Sequence, residues 1–442
     1  MALSGLDIYK LLPKTNCRQC GFVTCLAFAM ALAKKSVAID KCPFLSEESK
    51  NKLEASSLPP VKLVTIGVGD AAVAVGNETV MFRHEEKFHH ETAIGFMIDD
   101  SLAESDIRQR LAGIKALSFE RVGQALRVNL VAVRQCGNIQ AFVNAVRIVA
   151  GISHLPLVLM SDDPAALKQA LEITQSKKPL IYKATAGNAS LIGALGKEFS
   201  CPVVVQGADL EELMKVTQEL KGMGVDELIL DTGAKPIAQK LHDLTQIRRQ
   251  ALKKSNRALG YSTIVVIDTA DPYEEAMCAA TFVSKYAGIV LVRGIEPWQI
   301  LPLLTLRQNI FTDPQKPLQL EPKVYPIGQV TPASPVLITT NFSLSYYTVL
   351  GEVEASKIPA YIMAVDTEGM SVLTAWAAEK FTPEQVAHAV VKFGVPDLVT
   401  HHTVVIPGYV AVMSGDLEEV SGWKVVVGPK EAAGIPGFLK NM

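Results

Sequence analysis

The stretch AIGFMI at residues 93–98 decides the fold. It is apolar without interruption, where a strand with one wet face would alternate. It therefore reads as a parallel strand buried on both faces. Working outward, the same kind of run recurs as VNLVAV at 128–133, PLVLM at 156–160, PLIY at 179–182, PVVV at 202–205, LIL at 228–230, IVVI at 264–267 and IVLV at 289–292. Helical stretches such as 164–175, 209–222 and 272–286 lie between them. Eight strand-turn-helix units at spacings of roughly 25 to 35 residues point to a (β/α)8 barrel. One large doubly wound sheet is the competing architecture, and the count of eight within the expected length favours the barrel.

On the N-terminal side of the first unit, 61–68, 71–75 and 79–82 are short β-rich runs divided by Gly69-Asp70 and Gly76-Asn77, which suggests a small antiparallel flap. On the C-terminal side, Pro314, Pro317, Pro322, Pro326, Pro332 and Pro335 mark a boundary. Strand patterns then resume at 336–340, 360–365, 398–405 and 424–427, with helical ones at 343–356, 371–380 and 383–393. This reads as a separate open-sheet α/β domain. Before the flap, the run 56–60 (SSLPP) has linker composition and sets off a small N-terminal unit, in which 26–33 and 47–55 read as helices. The expected division is 1–57, 58–322 and 323–442.

Composition narrows the function. The 442 residues carry 43 Lys+Arg against 45 Asp+Glu, a net charge of −2. A nucleic-acid binder that tracks phosphates by bulk charge is excluded by that balance. With 49% hydrophobic and 20% charged residues and a mean hydropathy of +0.23, the chain can bury large cores and is not disordered. The longest near-apolar stretch, 22–33, is too short to cross a bilayer. Asp7 interrupts the place where a secretory signal needs an apolar run. The expectation is a cytoplasmic protein without membrane contact.

Four of seven cysteines fall in the first 42 positions, at Cys17, Cys20, Cys25 and Cys42. The others, Cys136, Cys201 and Cys278, stand singly among apolar neighbours and are expected to be small buried hydrophobes. In a reducing compartment a tight cluster signals metal ligation before disulfides. The spacing C-x2-C-x4-C-x16-C places three thiolates on one loop and brings the fourth from beyond a helix, as a cuboidal [4Fe–4S] cluster requires. Gly21 relieves crowding between ligands, and Pro43 follows the last. Structural zinc is the rival, but four-cysteine zinc sites usually pair two C-x2-C halves and no second half exists here. Phe22, Val23, Leu26 and Phe28 form an apolar collar suited to a redox centre.

The segment LLPKTNCRQCGFVTCLAFAMALA…DKCPFL, together with a following barrel and a terminal α/β domain, resembles the large (gamma) subunit of the corrinoid iron–sulfur protein of the anaerobic reductive acetyl-CoA pathway, a route of carbon fixation. The resemblance covers the whole chain in domain order and size. It implies an N-terminal [4Fe–4S] domain on Cys17, Cys20, Cys25 and Cys42, a central TIM-type barrel and a C-terminal doubly wound corrinoid-binding domain. The implied role is that of a methyl carrier more than a free-standing enzyme. A cobalamin-type corrinoid, as Co(I), takes a methyl group from a methyltetrahydrofolate-dependent methyltransferase and passes it to acetyl-CoA synthase/CO dehydrogenase, and the cluster reactivates Co(II). Implied partners are a small barrel-type subunit forming a heterodimer, those two enzymes and a low-potential electron donor.

In open α/β sheets ligands bind beyond the carboxyl ends of strands. The candidate loops are 339–343, entering a helix with Tyr346 and Tyr347; 366–374; and 406–409, with 428–429 and 434–437 near the chain end. From the residues alone these are equally ordinary turns. The resemblance implies corrinoid contact at Gly369, Met370, Ser371, Val372, Leu373 and Thr374. Thr340, Tyr346, Gly408 and Gly434 join them as candidates, with Thr374 facing cobalt. None of the eight histidines (His84, His89, His90, His154, His242, His388, His401, His402) sits in an Asp-x-His-x-x-Gly pattern. A cobalt without a strong axial donor is easier to reduce, which suits a low-potential cluster as its partner. Adjacent histidines point to opposite sides of a strand, so 89–90 and 401–402 are poor chelates. Asp231-Thr232-Gly233 and Asp268-Thr269 follow barrel strands at the face where barrel enzymes work, though capping explains them equally. Two further readings stay open: an Fe–S-containing pterin-dependent methyltransferase with its site in the barrel, and a scaffold on structural zinc.

Overall fold

A computed structural model describes residues 5–33, 36–46, 49–50, 53 and 59–442. The expected linker at 56–60, apart from Pro59 and Pro60, the 57/58 boundary and most of the helix expected at 47–55 lie outside the described residues. The chain divides into two compact units, one of 1–119 and 126–311, the other of 120–125 and 312–442.

In the first unit, a helix Gly5–Leu11 packs with the helix Cys25–Ala33 around a small core of Ile8, Leu12, Phe28, Ala29 and Leu53. Strands β1 (Val64–Ile66) and β2 (Val73–Val75) pair antiparallel. Residues 79–82, expected as a third flap strand, are not a strand. Glu78 takes the backbone N–H groups of His89 and His90 at 2.9 Å each, and Thr79 bonds Glu86 at 2.8 Å, so side chains hold this segment where a ladder was expected.

Strand β3 (Ala93–Asp99) opens the barrel, and a hairpin of β4 (Ser118–Arg121) and β5 (Gln124–Arg127) precedes β6 (Leu130–Arg134). Then come β7 (Leu157–Met160), β8 (Leu180–Ala184), β9 (Val203–Gln206), β10 (Leu228–Asp231), β11 (Thr263–Val266) and β12 (Ala287–Val292). These eight strands, β3 and β6 to β12, are parallel and close on themselves through β12 and β3, with Ile289 opposite Ala93. Both faces are buried. Ile94, Phe96, Ile98, Val131 and Val133 pack outward against helices, while Met97, Leu130, Ala132 and Val158 fill the lumen. That two-sided burial is why the runs did not alternate. Val64, Ile66, Val73 and Val75 join the lumen core, and Gly67 N–H bonds the Lys178 carbonyl at 2.9 Å, so β1 and β2 plug the N-terminal mouth. Asp163-Pro164 and Asp271-Pro272 start two barrel helices by the same device. The aspartate accepts from the backbone two residues on, at 2.8 and 2.9 Å, and proline takes the first helical position.

The second unit is a five-stranded sheet of β13 (Val324–Ile327), β14 (Val336–Thr340), β15 (Ala360–Val365), β16 (Thr403–Ile406) and β17 (Lys424–Val427), in the order β13-β15-β14-β16-β17. All pairs are parallel except β13 with β15. The proline-rich stretch thus contains a strand, and 322/323 falls inside this unit. Pro326 is tolerated because β13 is an edge strand. The strand expected from 398 begins at 403, because Pro396 starts a short helix, Val395–Leu398. The helix expected over 371–380 spans Val372–Ala377. Helices cover both faces, giving two cores, one around Phe381 and Val390 and one around Tyr346 and Ile362. The chain passes from β14 to β15 on one side and to β16 on the other, so the strand order switches between β14 and β16.

Candidate functional site

The cysteine module is built by local bonds. Thr24 caps the helix Cys25–Ala33, its hydroxyl accepting Ala27 N–H at 3.1 Å. Asn16, left-handed at φ 48°, turns its Oδ1 to Cys25 N–H at 2.8 Å and so fixes the first helical residue beside the loop. Arg18 and Gly21 are left-handed as well, and Gly21 N–H closes a turn on Arg18 O at 3.0 Å. Cys42 follows a 3-10 turn, Ile39–Lys41, with its N–H on Ile39 O. Cys25 is buried, and Cys17, Cys20 and Cys42 are half-buried; Cys20 and Cys42 pack on the same small core. All four are free thiols. Among the described residues no three His, Cys, Asp or Glu side chains are gathered so as to hold a metal ion. The donor set of four thiols in one apolar module suits a cluster that spreads its ligands over several irons. Of the single cysteines, Cys201 and Cys278 are buried as expected, but Cys136 is exposed. It lies just past β6, its N–H bonded to Asp100 at 2.8 Å.

In the second unit an open cleft of about 930 Å³ lies at the carboxyl ends of β14, β16 and β17, at the switch in strand order. Ile338, Thr339, Phe342 and Leu344 line one wall, Ile406, Pro407 and Tyr409 another, and Ser371 and Val372 close a third side. The lining is mostly apolar with loop backbone at Gly428 and Pro429, and Lys430 is its one charged side chain among the described residues. None of the eight histidines lines it. His401 bonds Ser334 O, His402 stacks edge-on to Trp423, and His90 bonds Gly76 O. Two hydroxyls where β14 ends, Thr340 Oγ1 and Ser343 Oγ, are buried without a protein partner. Apolar walls and loop backbone close at hand fit a flat, amide-fringed macrocycle.

The candidates from sequence are distributed unevenly about this cleft. Ser371 and Val372 line it. Leu373 and Thr374 are exposed on the same helix, with Thr374 Oγ1 3.0 Å from Ser371 Oγ. Gly369 and Met370 lie in the turn before them. Thr340 is buried at the strand end. Tyr346 is core instead, 4% exposed, its ring tilted against that of Tyr325 with centroids 4.8 Å apart. Gly408 is buried where the 428–430 backbone passes: a Cβ there would meet Gly428 O at 2.6 Å and Lys430 N at 2.7 Å. Gly434 abuts Pro429. Sequence reasoning missed Leu344, Thr348 and Val349, which any amphipathic helix carries, and the anchoring role of Asn341.

The barrel's C-terminal mouth carries two charged networks. Asp231 is buried and takes bonds from Tyr182 Oη (2.8 Å), Gln206 Nε2 (2.8 Å), Lys240 Nζ (2.7 Å) and Gly233 N–H (3.0 Å). Burial opposes its ionisation, but the Lys240 charge and these bonds outweigh that and hold the carboxyl below its usual range. Burial and Asp231 together push the Tyr182 hydroxyl up. On the other side Arg134 bridges Asp99 and Asp268, and Arg293 bridges the same two, at 2.6 to 3.2 Å. Every one of these carboxylates is answered from within the barrel.

The comparisons bear on both units. A family model described as CO dehydrogenase/acetyl-CoA synthase delta subunit matches residues 63–439, and an Fe–S cluster model matches 12–44. The Corrinoid/iron-sulfur protein large subunit of Moorella thermoacetica is 45% identical over 441 residues, covering 100% of this chain and 99% of that protein. The chain belongs to the CO dehydrogenase/acetyl-CoA synthase delta-subunit family. The Acetyl-CoA decarbonylase/synthase complex subunit gamma of Methanothermobacter thermautotrophicus is 36% identical over 456 residues, covering 100% of this chain and 99% of that one. Dihydropteroate synthase of Thermus thermophilus aligns with 54% of this chain and 97% of its own, at 14% identity and a TM-score of 0.38. The family model spans the barrel and the cleft-bearing sheet of this delta-family chain, and the Fe–S model encloses all four N-terminal cysteines. Among the described residues no helix is long and apolar enough to cross a membrane.

Proposed function

We propose that this chain is the methyl-carrying large subunit of a corrinoid iron–sulfur protein acting in acetyl-CoA synthesis. The observation that carries the reading is the histidine-free apolar cleft at the switch point of the C-terminal sheet, in a chain whose other end carries four cysteines between positions 17 and 42. The full-length relationship to a Corrinoid/iron-sulfur protein large subunit supports it. When bound, the corrinoid supplies the metal that carries the methyl group, and the cluster supplies single electrons that restore its reduced state. Cys17, Cys20, Cys25 and Cys42 would hold the cluster. Ile338, Phe342, Val372 and Ile406 would exclude water from the corrin, and Thr374 would offer it no more than a weak neutral donor. A small subunit would complete the cleft. A methyltetrahydrofolate-dependent methyltransferase and acetyl-CoA synthase would be the giving and receiving partners, in the cytoplasm. The saturated barrel mouth argues against the pterin-dependent alternative, because the carboxylates of both its networks are already engaged.

The test is metal analysis and visible spectroscopy of the anoxically purified complex. Cobalt with iron and a corrin band that bleaches on reduction are expected. Iron without cobalt would return the function to the barrel, and zinc alone would make the module structural. Cys20→Ala should block reductive reactivation while leaving methyl transfer from pre-reduced protein intact. Loss of both would refute the division of labour.

A further inference from the structure

Asn341 follows β14 directly, and its side chain is 1% exposed. It reaches to the end of β15, 25 to 28 residues along the chain. Its Oδ1 accepts Thr367 N–H at 2.9 Å and Gly369 N–H at 3.1 Å, with the Thr367 hydroxyl also at 3.1 Å. Its Nδ2 donates to Gln319 Oε1 at 3.1 Å and Asp366 Oδ1 at 3.3 Å. Its backbone is tied too, N–H to Val365 O at 2.8 Å and O to Leu320 N–H at 2.9 Å. One amide therefore uses both ends to seize a single turn.

That turn needs holding. Glu368 and Gly369 are consecutively left-handed, at φ 55° and 75°, a conformation that crowds the Cβ of Glu368 against its own carbonyl. Such a conformation persists only where surrounding bonds over-determine it. Three of those bonds end on Asn341 Oδ1, two of them from backbone N–H groups. Without that oxygen, two N–H groups inside the fold lose their acceptor and the turn can relax. Just beyond it, the chain delivers Ser371 and Val372 to the cleft wall, then Thr374.

We infer that Asn341 is a positioning residue for the cofactor: it locks the turn from 366 to 370, so that the wall carrying Ser371, Val372 and Thr374 stays closed against solvent. The inference rests on the corrinoid reading above. Asn341 touches no reacting atom in this account and acts only through the loop.

The experiment uses the intact two-subunit complex, purified anoxically, with Asn341→Ala, Asn341→Ser and Asn341→Asp beside the wild type. Three readouts are taken: cobalt per chain, the Co(II):Co(I) ratio from the absorption spectrum at one fixed applied potential, and the thermal midpoint. In Asn341→Ala the ratio should rise at least tenfold, equivalent to about 59 mV for a one-electron couple, because solvent admitted at the loosened wall favours the more oxidised cobalt. Asn341→Asp keeps an acceptor for both N–H groups but sets a carboxylate oxygen against Asp366 in place of the Nδ2 donor, so its ratio should fall between wild type and Asn341→Ala. If Asn341→Ala does not assemble, Asn341→Ser decides, with at least a threefold rise expected. An unchanged ratio with a lowered thermal midpoint would make Asn341 merely structural and overturn the inference, leaving the carrier function standing. Absence of cobalt from the wild-type complex would overturn the carrier function and this inference with it.

Discussion

Replacing Lys240 by Met separates a structural barrel mouth from a catalytic one. Lys240 is 4% exposed, and its Nζ bonds Asp231 Oδ1 at 2.7 Å and Gly233 O at 2.8 Å. Met fills similar volume but leaves the Asp231 carboxylate buried without its counter-charge. Breaking a buried pair from one side costs about 3–5 kcal/mol. With an unfolding slope of about 3 kcal/mol per molar urea, the midpoint should fall by about 1 to 1.7 M. Trp298 is the only tryptophan of the first unit, so its fluorescence in a Trp376→Phe/Trp423→Phe background reports the barrel alone.

The pH dependence carries a definite sign. In the wild type the Asp231 pKa is depressed, so its stabilisation is present above the unfolded value and is lost as pH falls through the folded one. In Lys240→Met the desolvation that Lys240 had overcome prevails, and the carboxyl rises. Protonation then relieves the penalty, so the deficit should be smaller at about pH 5 than at about pH 8. Equal deficits at the two pH values, or a midpoint shift below about 0.3 M, would refute the reasoning. Methyl transfer by the folded fraction should be retained. A variant of wild-type stability that no longer transfers methyl groups would make the mouth an active site.

Gly408→Ala puts a Cβ 2.6 to 2.8 Å from the backbone of 428–430, which cannot swing away as a side chain can. The expected cost is about 1–3 kcal/mol, read as faster corrinoid release from the purified complex; unchanged release would show that this rim is not part of the site. Arg248 bonds Glu78 at 3.1 Å and Val80 O at 2.7 Å and lies 5.3 Å from the ring centres of Phe88 and Tyr286. Arg248→Met should cost the barrel about 3–5 kcal/mol in urea unfolding by Trp298 fluorescence, with no change in cobalt content.

Much of the fold was legible because burial writes itself into sequence. Residues 93–98 carry no polar position, since Phe96 faces the helices and Met97 the lumen. The Fe–S domain was legible because four cysteines crowd between positions 17 and 42, within the stretch 12–44 that an Fe–S cluster model matches. Strand β13 was hidden by Pro326, whose missing donor argues against any strand but an edge one. The segment at 79–82 has strand propensity, yet Glu78 takes backbone donors from 11 and 12 residues further on, a contact that no local pattern announces. Asn341 is the extreme case. Asparagine after a strand is ordinary in any turn, and its value lies in partners more than twenty residues away.

The two ends of the parallel strands differ in what they leave undone. In the barrel mouth each networked carboxylate meets a cation or a hydrogen-bond donor of the same fold, so adding a ligand there means breaking bonds already made. Where β14 of the second sheet ends, Thr340 Oγ1 and Ser343 Oγ have no hydrogen-bond partner among the described residues, while Leu344 at 67% exposure, Leu373 at 46% and Tyr409 at 44% present apolar surface on or beside the cleft walls. Buried hydroxyls without partners and apolar side chains left in water each raise the energy of the unliganded state. An occupant that covers the rim lowers the second of these costs. The sheet's switch point, where loops diverge and leave the space open, is therefore where covering apolar surface gains most, and Asn341 holds the turn that leads into one of its walls.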